Sequence, residues 1–99
     1  MTKKGVDEGS ILYIDDNSDN AALVTEIIET HRPDINIIIS PLGEPTVKLA
    51  IENRPDLILL DLGLPDINGH DILKNLQVEE RTQSIPIVII TADATERQI

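Results

Sequence analysis

The chain has no cysteine, no tryptophan and no phenylalanine, and Tyr13 is its single aromatic residue. Without cysteine there is no disulfide framework and no thiolate chemistry. That fits a reducing compartment, so a cytoplasmic location is expected. Without aromatics the core must be built of Ile, Leu and Val. Basic residues are scarce: eight Lys and Arg stand against eighteen Asp and Glu, a formal net charge of -10. Nucleic-acid and anionic-membrane binding both need basic patches, so this chain is expected to do neither. No apolar run is long enough to span a bilayer. Lys3 and Lys4 are followed by no apolar stretch, so the N-terminus does not read as a signal peptide. Ninety-nine residues suit one small domain.

What is there is organised around Pro55 to Gly69. Leu57-Ile58-Leu59-Leu60 reads as a strand buried on both faces, the kind found in the middle of a parallel sheet. It ends on Asp61, and a carboxylate there is costly unless something pairs with it. Pro65 and then Asn68-Gly69 permit a sharp turn with positive φ. In open α/β sheets, sites form just beyond the carboxyl ends of the strands. Asp61 stands at such a place.

Met1 to Gly9 is polar and aperiodic, and is expected to be a disordered tail or a cloning remnant, with the domain over residues 10–99. Ile11 to Ile14 reads as a first strand, ending on Asp15-Asp16. Asn17, Ser18 and Asp19 are good helix N-caps. Leu23, Val24, Ile27, Ile28 and His31 recur at helical spacing, and Arg32-Pro33 stops that helix. Ile35 to Ser40 is a second strand and Pro41 to Glu44 a loop. Pro45 suits the first position of a short helix carrying Val47, Ala50 and Ile51, which Asn53-Arg54-Pro55 closes. Ile72, Leu73 and Leu76 mark one face of a third helix. Glu80 to Ser84 reads as a polar loop. Ile87 to Ile90 reads as a fourth buried strand ending on Thr91. Asp93 and Glu96 form a capping box for a fourth helix. The order βαβαβαβα implies an α/β fold: a parallel sheet with helices on both faces and right-handed crossovers.

In a parallel sheet, Asp15-Asp16, Asp61 and Thr91 all lie on one edge. Clustered carboxylates repel one another, and a divalent cation relieves that. An oxygen-only site with open positions suits Mg²⁺. A carboxylate is also a nucleophile able to form an aspartyl-phosphate, and Mg²⁺ would neutralise the charge on the transferring group. The Thr91 hydroxyl is a hydrogen-bond donor toward such a group. Singly, these residues have plainer readings. Asp15-Asp16 makes a turn and cap cluster, and Thr91 is an ordinary β-branched strand residue. His31 reads as a helix C-terminal residue complementing the dipole, and His70 as a surface position. Neither histidine has metal-ligand spacing.

Together these motifs resemble the receiver domain of two-component response regulators. Asp15-Asp16 follows the first strand, Asp61 with Pro65 and Gly69 the third, and Thr91-Ala92 the fourth. Asp15-Asp16-Asn17 with Asn20 looks most like receivers attached to hybrid histidine kinases. The resemblance covers about Ser10 to Ile99. It implies a flavodoxin-like doubly wound sheet of order 2-1-3-4-5. It also implies phosphorelay signalling: Asp61 takes a phosphoryl group from phosphohistidine on a sensor histidine kinase or phosphotransfer protein. Asp16 and Asp61 would ligate Mg²⁺, Asp15 would act mainly through water, and the Gly63 carbonyl would add a backbone ligand. Thr91 would contact the phosphoryl group as the switch residue, helped by the Ala92 amide.

Gly63 departs from the larger residue usual in the family. The chain is also expected to be truncated before the family's fifth strand and helix, and so to lack the Lys and the aromatic residue they carry. Lys74 lies on the wrong helix to substitute. The fourth strand would then be a bare apolar edge, and either marginal stability as a monomer or self-association through that edge is expected. Two rival functions differ from phosphotransfer. One is a degenerate receiver that only binds a partner or dimerises. The other, an aspartate-nucleophile phosphatase of the haloacid dehalogenase kind, is disfavoured because it wants a second Asp where Gly63 stands. Flavin binding is disfavoured too, since no phosphate-cradling loop follows the first strand. The chain is not expected to be an enzyme acting on an outside substrate.

Overall fold

Apolar strands and capped helices alternate along the chain in a computed structural model that describes residues 9–90. They are β1 (Gly9–Ile14), α1 (Ser18–His31), β2 (Ile35–Ser40), α2 (Thr46–Asn53), β3 (Leu57–Asp61), α3 (Gly69–Val78) and β4 (Ile87–Ile90). Thr91, Ala92 and the expected fourth helix from Asp93 lie outside the described residues, as do residues 1–8 of the expected tail.

The four strands form one parallel sheet in the order β2-β1-β3-β4, the expected flavodoxin-like arrangement. The connection from β1 to β2 steps one way along the sheet, and that from β2 to β3 steps back past β1. Right-handed crossovers therefore put α1 and α2 on opposite faces. On the face of α2 and α3, Leu12, Ile14, Ile58 and Leu60 meet Ala50, Ile72 and Leu76 in one buried cluster. Each fully buried Leu or Ile there contributes about 1.5–3 kcal/mol. With period two, Ile11, Tyr13, Leu57 and Leu59 point to the other face, where α1 lies against β2.

The boundaries mostly follow the local signals. Asn17 caps α1, its side chain accepting from Asn20 N at 2.9 Å. Pro45 is the N-cap of α2 rather than its first residue. β1 begins at Gly9, two residues before its apolar run. Ser10 N donates to Asp56 Oδ2 at 2.9 Å and Asp56 N to Ser10 O at 2.8 Å, which extends the ladder.

Four expectations are corrected. The α1 residues that approach the sheet are Ala21, Val24 and Ile28, whereas Leu23 and Ile27 face outward, 57% and 49% exposed. β3 is fully buried only at Ile58 and Leu60 among its apolar residues, since Leu57 and Leu59 on its second face stay half-buried. β4 is not a buried strand but the expected apolar edge: among the described residues it pairs with β3 alone, leaving Val88 and Ile89 exposed. The Glu80–Ser84 loop is not wholly polar surface either. Thr82 within it is fully buried, its Oγ1 donating to Leu76 O at 2.7 Å beneath the end of α3.

No glycine among the described residues has positive φ. Asn68 is instead the N-cap of α3, with φ -67, and its side chain accepts from His70 N at 2.7 Å. The left-handed residue is Arg54, φ 47, which ends α2 as its C-cap. No helix among the described residues is long and apolar enough to cross a membrane.

Candidate functional site

β1 and β3 are adjacent and run the same way, so their last residues arrive at one edge. Register pairs Ile14 with Leu60, which sets Asp15 beside Asp61. Asp16 follows on the lead-in to α1. Each of Asp15, Asp16 and Asp61 offers a carboxylate oxygen within 4.8 Å of the others. Asp15 and Asp61 are buried and Asp16 is exposed, so the cluster opens to solvent on one side.

Hydrogen bonds hold the two buried acids. The backbone of Asp15 continues the ladder, its N–H donating to Ser40 O at 3.0 Å. One Asp15 oxygen, Oδ2, accepts from the Tyr13 hydroxyl at 2.6 Å, and the other, Oδ1, accepts from Asn17 N at 2.9 Å. Asp61 Oδ1 accepts from Gly63 N at 3.0 Å. Burial pushes the Asp61 carboxyl above its ordinary value, and the neighbouring Asp15 and Asp16 charges push it the same way. The Gly63 amide opposes both. Burial and the bond to Asp15 likewise push the Tyr13 hydroxyl upward.

Three close carboxylate oxygens, one side open and no nitrogen or sulfur donor among them form a set suited to a hard divalent cation with several waters. Gly63 is exposed beside Asp61, and a Cβ built on it would meet only Asp61 Oδ1, at 3.6 Å. The structure thus brings together Asp15, Asp16, Asp61 and Gly63. Thr91 and Ala92 lie outside the described residues. His31 and His70 are exposed and stand outside the cluster, His31 with its Nδ1 3.0 Å from Ile27 O.

Two contributors were not singled out from sequence. Tyr13 carried a signal, since residues two apart on a strand share a face. Asp66 carried none. Its two oxygens accept from Gly43 N at 3.0 Å and Glu44 N at 2.9 Å, tying the loop after β3 to the loop after β2. Those two amides hold the Asp66 carboxyl below the usual carboxylate range. A depressed folded-state pKa gives stability that is present above the unfolded value and lost as pH falls through the folded one. Asp66→Ala is therefore expected to melt below the wild type at pH 7. The gap should close as the pH falls below about 4, where carboxylates protonate. Thermal melts of both proteins across that range check this.

The sheet order and the acidic edge together define a receiver-type module. Residues 11–99 match the family model described as the response regulator receiver domain, and the chain belongs to that family. Receivers of this family are signalling modules of two-component systems. A curated relative is the polar-differentiation response regulator DivK of Brucella anthropi. It is 34% identical over 85 residues, which cover 86% of this chain and 68% of that protein. Among solved structures, the receiver domain of a sensor histidine kinase from Pseudomonas aeruginosa PAO1 shares the fold. Its TM-score is 0.80 at 24% identity, covering 91% of this chain and 72% of that one. That structure has a magnesium ion coordinated in its active-site cleft. The Mn²⁺-bound form of the response regulator Rcp1 is 29% identical with a TM-score of 0.71, covering 84% of this chain and 65% of that one.

Proposed function

We propose that this chain is a phosphorelay receiver that takes a phosphoryl group onto Asp61 from phosphohistidine on a sensor histidine kinase or phosphotransfer protein. The observation that carries this reading is the convergence of Asp15, Asp16 and Asp61 at one sheet edge, oxygens within 4.8 Å. An Asp61 carboxylate oxygen attacks phosphorus, the new O–P bond forms as the N–P bond breaks, and the imidazole leaves. The Gly63 amide on Oδ1 fixes the rotamer of Asp61. Asp16, Asp61 and the Gly63 carbonyl would hold Mg²⁺ directly, and Asp15 would hold its water. When bound, the ion supplies neutralising charge for the transferring group. Thr91 and the Ala92 amide complete this reading as contacts to the phosphoryl oxygens.

The Mn²⁺-bound form of Rcp1 supports divalent-cation binding by this chain. An acidic chain with no long apolar helix among its described residues agrees with a cytoplasmic protein that binds neither nucleic acid nor membrane. The exposed Val88 and Ile89 on edge strand β4 support self-association there.

The test is intact mass after incubation with Mg²⁺ and a small acyl-phosphate donor. One added phosphoryl group is expected on the wild type and none on Asp61→Asn. A folded wild type that takes up nothing would leave the degenerate, partner-binding receiver as the reading.

A further inference from the structure

We propose that Tyr13 is a positioning residue for the divalent cation site, setting through its hydroxyl how Asp15 meets the ion. The inference rests on the metal reading above.

Tyr13 is 1% exposed, next to last in the ladder that leads to the acids. Its backbone is fixed between register partners Ile39 and Leu59. The hydroxyl donates to Asp15 Oδ2 at 2.6 Å, the length of a charge-assisted O–H···O bond. With Asn17 N on Oδ1, each Asp15 oxygen already holds one protein donor. A carboxylate offers about four lone-pair sites, so acceptor capacity remains for hydrogen atoms of ion-bound water. The Tyr13 donor also draws charge from Oδ2, which weakens Asp15 as a direct ligand. Both effects favour an ion that keeps its waters, which is the habit of Mg²⁺, over one that takes many direct oxygen ligands, which is the habit of Ca²⁺. A phenylalanine would leave the packing in place and remove only the donor.

Tyr13→Phe is expected to lower Mg²⁺ affinity by about tenfold in calorimetry, the usual scale for a group that orients a ligand. Ca²⁺ affinity should fall less, so the Mg²⁺/Ca²⁺ ratio drops. A merely structural role would lower both in proportion, and that outcome or an unchanged Mg²⁺ affinity overturns the proposal. The wild type supplies a second readout, because Tyr13 alone absorbs in the near ultraviolet. Its difference spectrum is expected to titrate with Mg²⁺ at the calorimetric midpoint. Calorimetric binding with a silent tyrosine spectrum overturns the role of Tyr13 alone. No calorimetric binding to the wild type overturns the metal reading with it.

Discussion

Saturating Mg²⁺ is expected to raise the melting temperature of the wild type, and Asp61→Asn to remove most of that rise while melting higher than the wild type without metal. Both halves follow from one electrostatic fact. Asp61 is buried beside two other acids, and both burial and their charges disfavour its ionised form. An ionised Asp61 is therefore held in the fold against burial and repulsion. An ion bound only by the folded state stabilises it by about 2.7 kcal/mol at a hundredfold excess over Kd. For a domain near this size that is a shift on the order of 10–20 °C. Asn at position 61 keeps an acceptor for the Gly63 amide but removes the charge. Asp71→Asn, in the first turn of α3 and away from the cluster, should keep the full Mg²⁺ response. Thermal melts of the three proteins with Mg²⁺ and with a chelator make the comparison. A wild type whose melting ignores Mg²⁺ would mean the acids do not hold the ion.

Gly69→Ala is expected to be among the most damaging small substitutions in the chain, although Ala suits helices better than Gly. The methyl would stand 2.6 Å from Leu62 Cα, a backbone atom that cannot rotate away. Either the start of α3 or the strand end carrying Asp61 has to shift. Overpacking of this kind costs about 1–3 kcal/mol. The melting point should fall by roughly 5–20 °C. Gly63→Ala is the matched control. Its methyl meets only Asp61 Oδ1, at 3.6 Å, and its φ is not positive. Equal melting points for the two variants would show that the close approach at Gly69 is relieved at little cost.

Position 69 also shows what could be read in advance. Asn68-Gly69 marked a break in the chain, and the break is there. The reason differs: the glycine is needed for close backbone approach, while Asn68 caps the helix. The acidic edge was legible because parallel strands deliver their carboxyl ends to one side, whatever loops lie between. Periodicity also found α1, but not its inward stripe. Its apolar residues cover two neighbouring faces, and the helix, lying against β2, turns Ala21, Val24 and Ile28 away from solvent while leaving Leu23 and Ile27 exposed. The Asp66 clamp was invisible because its partners, Gly43 and Glu44, lie more than twenty residues away and offer only backbone amides.

The placement of β1 also bears on how the chain reaches this state. Not one strand pairing among the described residues is a hairpin. β1 meets β2 only after α1 has been traversed, and meets β3 only after α1, β2 and α2. Each pairing closes a long loop before any ladder bond repays the lost chain entropy. Since β3 adds to β1 and β4 adds to β3, assembly in that order joins Asp15 to Asp61 only when β3 docks on β1, before β4 adds. The site then comes into being with the sheet itself and has no local precursor in the unfolded chain.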